Sequence, residues 1–287
     1  MKKIIALIMC MCMLVGCSVR IEKPNENSKD NTNSNKIEDT TVKTTNNYTT
    51  APSPEDMGAY DDFSNKKVIW GPGKIDNHKQ PVDPVSLSKT FGEFDAKWLL
   101  NDEKKICLTF DEGYENGFTP SILDTLKAKN VKAIFFVTYD FASKNPELID
   151  RMINEGHIVG NHSYRHYSMD ELDIDKATEE VMFIHEYMKE NHNYTMSYFR
   201  FPKGEFSQRT LKLLQSLDYQ SVFWSFAYAD WDPKKQIEPS TALEKLKNST
   251  HPGAIFLLHA VSETNAKILG DFIDEVRQQG YEFTVDI

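Results

Sequence analysis

From residue 106 onward, short apolar runs alternate with stretches in which apolar side chains recur every three or four positions. The runs 106–110, 132–137, 157–160, 197–200, 220–226, 254–259 and 282–285 have the length and composition of buried strands. The stretches near 120–129, 146–155, 174–190, 207–217, 240–248 and 263–279 have the period of amphipathic helices. In the second of these, Leu148, Ile149, Met152 and Ile153 form one apolar stripe, leaving Glu147, Asp150, Arg151 and Asn154 for solvent. Thr119-Pro120 and Asn145-Pro146 each set a capping side chain before a first-turn proline, and Gly156 follows the second helix. Seven strands joined by six helical crossovers predict a parallel α/β domain. The spacing suits a barrel of about seven strands, and an open doubly wound sheet is the alternative.

Upstream the pattern is different. Lys2 and Lys3 precede the apolar stretch Ile4–Val15, which is too short to span a bilayer comfortably and ends in Leu14-Val15-Gly16-Cys17. This reads as a secretory signal over residues 1–17. Its end resembles the bacterial lipobox, which implies cleavage before Cys17 and lipidation of that thiol. From Ser18 to about Asn65 the chain is rich in Asn, Thr, Ser, Lys, Asp and Glu, as in Asn-Thr-Asn-Ser-Asn at 31–35. Such a segment buries too little apolar surface to offset its ordering entropy, so it is expected to be a disordered tether over 18–65. Residues 66–104, with Trp70-Gly-Pro-Gly and several prolines, are expected to be an irregular lead-in packed on a catalytic domain at 105–287.

Charge and cysteine count narrow the function. The net charge is −10, and loss of Lys2 and Lys3 takes it to −12. That argues against a nucleic-acid partner, whose phosphates demand lysine and arginine. Cys10 and Cys12 leave with the signal and Cys17 carries lipid, so Cys107 alone remains in the domain and no internal disulfide is available. Its place in an apolar run points to packing rather than nucleophilic chemistry.

The ionisable residues gather where strands end, which is where parallel α/β folds carry their chemistry. Asp111 and Glu112 follow the first strand of the domain, His162 and His166 the third, Arg200 the fourth, Asp230 and Trp231 the fifth, and His259 the sixth. Neutral imidazoles four apart, placed together by a helical turn or a tight loop, suit Zn²⁺ or a similar metal. His259 is a candidate general acid, because imidazole titrates near working pH and could protonate a leaving amine. Asp230 could hold its other ring nitrogen, and Arg200 could keep Asp111 ionised as a base. His78, His185 and His192 lack such company and read as surface residues, while His157 and His251 are assigned no role. Together the rim residues point to metal-assisted hydrolysis.

Thr109-Phe110-Asp111-Glu112-Gly113-Tyr114 resembles the first motif of the NodB-homology polysaccharide deacetylases, carbohydrate esterase family four, usually T-F-D-D-G. His162-Ser163-x-x-His166, Arg200-Phe201-Pro202, Asp230-Trp231 and Leu257-Leu258-His259 resemble the family's remaining motifs, in order, over about 180 residues. The resemblance implies a deformed (β/α)7-type barrel and removal of N-acetyl groups from a glycan. It implies Asp111 as base, His162, His166 and the residue at 112 as ligands of a divalent metal (Zn, with Co or Mn as alternatives), and His259 as acid oriented by Asp230. Arg200 would pair with Asp111, and Trp231 and Leu257 would form the acetyl pocket. Tyr114-Glu115-Asn116-Gly117, together with Phe223-Trp224-Ser225, resembles the spore-cortex muramic δ-lactam deacetylases (PdaA-like) more closely. That subgroup implies substrate contact at Tyr114 and peptidoglycan strands as partner, met outside the cytoplasm by a domain lipid-anchored to the membrane.

The sequence departs from the family at Glu112, where Asp is usual. The extra methylene displaces the carboxylate by about 1 Å, and catalytic geometry tolerates only about half of that. Either Glu112 ligates from a shifted backbone or water takes its place. Deacetylation of N-acetylglucosamine polymers, acetyl-ester hydrolysis, and a catalytically weak glycan-binding lipoprotein are the competing expectations.

Overall fold

The structure is a computed structural model, and it describes residues 60–287 apart from 74, 76 and 77. The signal segment, Cys17 and the tether as far as residue 59 lie outside the described residues. The tether assignment ends too late, because Tyr60 is buried with its hydroxyl 2.6 Å from Ser216 Oγ, and Asn65 Nδ2 donates to Asp170 O at 2.9 Å.

Ten strands are described: β1 (Val68–Ile69), β2 (Ala96–Lys97), β3 (Lys105–Glu112), β4 (Ile134–Val137), β5 (Ile158–Asn161), β6 (Tyr198–Phe199), β7 (Glu205–Phe206), β8 (Gln220–Val222), β9 (Ile255–His259) and β10 (Glu282–Phe283). The main sheet runs β10-β3-β4-β5-β6-β8-β2, with β9 also paired to β3, and every pairing is parallel. The chain beyond β8 turns to β9: Ser225 N donates to Ile255 O at 2.9 Å, and Leu257 N donates to Phe226 O at 2.9 Å. That contact brings the sheet round on itself into a distorted barrel, where a doubly wound sheet would have stayed open. The apolar run 220–226 is one strand for three residues only, because the backbone changes partner there. Phe223 N still bonds Lys97 O on β2, whereas Ser225 bonds β9.

Helices Thr119–Ala128, Pro146–Asn154, Ile174–His192, Gln208–Ser216, Pro239–Ser249 and Glu263–Gln278 fall within a few residues of the predicted ones. Asp173, Ser207 and Ser262 cap three of them by accepting from backbone N–H groups. The two predicted proline-linked caps behave otherwise. Thr119 is already helical, and Asn145 Nδ2 donates to Phe141 O at 2.9 Å instead.

The lead-in is more ordered than expected. It contains a helix, Val82–Phe91, whose Pro84 sits in the first turn, where the missing N–H is harmless. β1 pairs with β7, and β2 adds an edge to the main sheet. Trp98 between them is fully buried and stacks on Phe223, with ring centroids 4.4 Å apart and planes 3° apart.

Alternation along β3 decides what each of its side chains meets. Thr109 and Asp111, two apart, face the barrel interior and both touch Arg200 Nη1, at 2.6 and 2.8 Å. Phe110 and Glu112 face the surrounding helices; Phe110 stacks on Phe135 at 5.2 Å. Gly160, on β5 opposite Phe136, is required there, since a Cβ would come within 2.5 Å of the Phe136 ring.

Candidate active site

The barrel rim opens into a cleft of about 630 Å³ lined on its polar side by Asp111, His162, His166 and His259. Trp224, Tyr228, Leu257 and Val261 supply an apolar side, and Tyr114 and Trp231, each exposed, stand at its mouth.

Beneath Asp111, Arg200 is fully buried with four acceptors around its guanidinium. It donates to Asp111 Oδ1 at 2.8 Å, Thr109 Oγ1 at 2.6 Å, Val222 O at 3.1 Å and Phe223 O at 3.0 Å, and its Cζ lies 4.1 Å from the Phe136 ring centroid. The fork geometry of arginine suits such a site; a lysine ammonium could not reach all four acceptors. Burial alone would raise the Asp111 carboxyl, but the Arg200 charge, aided by His162 and His259, outweighs it and holds Asp111 below the usual carboxylate range. Asp111 is therefore ionised near neutral pH.

Opposite it in register on β9 is His259. Its Nδ1 donates to Asp230 Oδ1 at 2.7 Å, and its backbone N–H donates to Asp230 Oδ2 at 2.9 Å. Burial opposes a charged ring, yet the Asp230 hydrogen bond and charge prevail and raise His259 above the ordinary imidazole value. Asp230 is almost fully buried and also accepts from Asn265 Nδ2 at 2.6 Å, while Asn265 accepts in turn from the Tyr228 hydroxyl. Nothing in the local pattern marks Asn265, which follows the cap Ser262 on a helix remote in sequence.

His162 and His166 come together through a tight loop rather than a helical turn. Ser163 and His166 adopt φ of 71° and 60°, in the left-handed region. Two bonds hold that turn: Ser163 N–H to Asn161 Oδ1 at 2.8 Å, and His166 N–H to Ser163 Oγ at 2.9 Å. His162 Nδ1 donates to Arg200 O at 2.9 Å, so its Nε2 carries the lone pair. That nitrogen lies 3.2 Å from His166 Nε2 and 3.5 Å from Asp111 Oδ2. Desolvation lowers both rings, keeping them neutral near pH 7.

Two imidazole Nε2 atoms at this separation fit one divalent cation, for which tetrahedral ligands at about 2.0–2.1 Å stand about 3.3 Å apart. Glu112 does not join them. It is fully buried on the opposite face of β3, where Thr119 Oγ1 donates to its Oε1 at 3.4 Å and its Oε2 has no partner. Burial, with Glu115 nearby, pushes its carboxyl well above the usual range. Among the described residues no group of three or more His, Cys, Asp or Glu is gathered to hold a metal.

Comparison with known proteins settles the family. The polysaccharide deacetylase family model matches residues 100–222. The peptidoglycan-N-acetylmuramic acid deacetylase PdaA of Bacillus subtilis is 42% identical over 221 residues, covering 76% of this chain and 84% of that one. The chain belongs to the polysaccharide deacetylases, carbohydrate esterase family four. It is thereby a hydrolase. The solved structure of B. subtilis PdaA superposes with a TM-score of 0.74 at 41% identity, over 77% of this chain and 95% of that one, in line with the deformed (β/α)7 barrel. A Bacillus cereus peptidoglycan-N-acetylglucosamine deacetylase is 31% identical over 178 residues, 62% of this chain and 64% of that protein.

The remaining polar residues take structural places. His157 Nδ1 accepts from Ala133 N at 3.1 Å, and burial lowers this ring to about 4. His251 bonds Ser225 Oγ at 2.9 Å. His78 is exposed, as expected, but His185 bonds the buried Tyr219 hydroxyl at 2.6 Å and the His192 side chain is buried against Asp150, so neither is a free surface residue. Burial pushes the Cys107 thiol up to about 12, in keeping with a packing role.

Proposed function

We propose that this chain removes the N-acetyl group from muramic acid residues of peptidoglycan, the step that leads to the muramic δ-lactam of spore cortex. The observation that carries the reading is one cleft in which Asp111 and His259 stand at register-paired strand positions, the carboxyl lowered by buried Arg200 and the ring raised by buried Asp230. A carboxylate pushed down and an imidazole pushed up give a base and an acid at the same pH. The similarity to B. subtilis PdaA supports muramic acid as the sugar.

Asp111 accepts a proton from the attacking water as its oxygen bonds to the acetyl carbon. His259, with Nδ1–H held by Asp230, turns Nε2–H toward the cleft and protonates the amide nitrogen as the C–N bond breaks. Acetate and the free amine leave. Leu257 and the face of Trp231 enclose the acetyl methyl, and Tyr114 and Trp231 offer aromatic surface to the sugar ring. His162 and His166 would hold a divalent metal, Zn²⁺ or alternatively Co²⁺ or Mn²⁺, which would supply Lewis-acid chemistry there. Glu112 takes no part in holding it. We further propose that Cys17 carries the lipid that tethers the domain outside the cytoplasm, from the sequence Leu14-Val15-Gly16-Cys17.

The test is mass spectrometry of digested peptidoglycan after treatment with metal-loaded protein. Loss of one acetyl on muramic acid is the expected product. Loss on glucosamine instead overturns the substrate, and no acetate release from any muropeptide favours a glycan-binding protein without activity.

A further inference from the structure

Among the described residues, Lys203 is the one lysine or arginine that lines the cleft. Its backbone has φ 59° and ψ 5°, a left-handed conformation that a side-chain-bearing residue adopts only under strain. The turn holds it there. Gly204 N–H donates to Phe201 O at 3.1 Å, Trp70 N–H donates to Gly204 O at 2.9 Å, and a Cβ on Gly204 would come within 2.9 Å of both the Trp224 ring and the Trp70 carbonyl. Glycine is thus compelled at 204, whereas 203 carries a long cation in a conformation where glycine would be free of strain.

The ammonium is also without a charge partner. Lys203 Nζ donates to Ser168 Oγ at 3.2 Å and forms no salt bridge among the described residues. Glu205, near enough to feel its charge, is engaged by Lys67 Nζ at 3.1 Å and by the Ser168 hydroxyl. Lys203 also sits close enough to His166 to disfavour protonation of that ring. A cleft-lining lysine near the histidine pair therefore keeps two donors beyond its bond to Ser168.

A neutral N-acetylglucosamine offers nothing to match it. A muramic acid residue without its stem peptide does, because its O3 carries a lactyl ether ending in a free carboxylate, one ring carbon from the acetamido group. We propose that Lys203 is the specificity residue of the cleft, pairing with the lactyl carboxylate of the muramic acid whose acetamido group lies over Asp111. This rests on the muramic acid reading of the site and adds the residue that selects it.

The test compares two soluble glycan strands of equal length, one with free lactyl carboxylates and one with those groups converted to methylamides. Acetate release gives kcat and KM for wild-type protein, Lys203→Met and Lys203→Arg, with a melting curve for each variant. Wild-type protein should favour the free carboxylate by about tenfold or more in kcat/KM, as for a hydrogen bond to a charged group. The preference should lie in KM and weaken with added salt. Lys203→Met should lose it and Lys203→Arg should keep most of it. A Lys203→Met protein that melts like wild type and keeps the full preference overturns the role of Lys203 while leaving muramic acid as substrate. Wild-type protein that deacetylates glucosamine oligomers but neither muramyl strand overturns both.

Discussion

Replacing Asp230 with Asn probes the acid directly. The two carboxylate oxygens now accept three donors: His259 Nδ1–H at 2.7 Å, His259 N–H at 2.9 Å and Asn265 Nδ2 at 2.6 Å. An amide has one oxygen, so at least one of these donors must face an NH₂ group in a site almost closed to water. Leaving one buried donor unmatched costs about 1–3 kcal/mol. For a domain of this size that lowers Tm by about 2–4 °C per kcal/mol. The effect on rate is larger and separable. Without the Asp230 charge, burial is the leading influence on His259, and burial disfavours the charged ring. The acid then loses its proton at lower pH, so the alkaline limb of kcat moves down, from above the ordinary imidazole value toward or below about 6.5. Losing a positioned general acid lowers kcat by about 100-fold or more. The assay is acetate release across a pH series, with melting curves recorded in parallel. If Asp230→Asn melts several degrees lower but keeps its rate and its alkaline limb, Asp230 is only structural and the acid must be sought elsewhere. Asn265→Ala, which removes one donor and leaves the charge, should move the limb far less.

Other perturbations test the remaining contacts. Arg200→Met strands the buried Asp111 and should cost about 3–5 kcal/mol at neutral pH by denaturant titration. Because Asp111 is lowered in the fold, this loss is full above the ordinary carboxylate range and should shrink as pH falls below it. Gly160→Ala drives a methyl into the Phe136 ring under the guanidinium, so about 1–3 kcal/mol of stability and much of kcat should go together; unchanged melting would show that the strands part easily. Glu112→Gln should leave metal affinity, read by calorimetry, at the wild-type value. A raised carboxyl favours the fold below its unfolded value of 4.5 and loses that advantage as pH rises. Glu112→Gln should therefore stabilise the protein more at pH 8 than at pH 5, and a fall in metal affinity would show that Glu112 moves to the histidines after all.

Much of this site was legible because strand ends are local features. Asp111, His162, Arg200 and His259 each close or follow a short apolar run, and a parallel sheet sends all such ends to one rim. The same logic located the barrel, since alternating strands and amphipathic helices leave few other packings. What the pattern hid depends on contacts distant in sequence. Asn265 orients Asp230 from a helix 35 residues further along, and Lys203 looks like an ordinary turn lysine until its left-handed backbone is seen. The helix Val82–Phe91 went unread because Pro81 and Pro84 look like breakers, although proline in a first turn is harmless.

Glu112 shows where motif and physics part. A motif reads adjacent letters as one unit, and Asp111-Glu112 invites assigning both carboxylates to one site. A strand reads adjacent residues as opposites, because successive side chains leave on opposite faces. Glu112 is the last residue of β3, paired to Val137 and still under that rule, so its longer side chain carries the carboxyl away from the histidines toward Thr119. To reach His162 the backbone would have to break its pairing and turn over at residue 112, exposing the Thr138 N–H that Glu112 O now accepts at 3.1 Å. The buried carboxyl has an unpartnered oxygen, and burial raises it, which favours the neutral form such a place demands. The chemistry proposed for the cleft therefore rests on Asp111, His259 and the two histidines, and the side chain of the motif's second acid lies in the core.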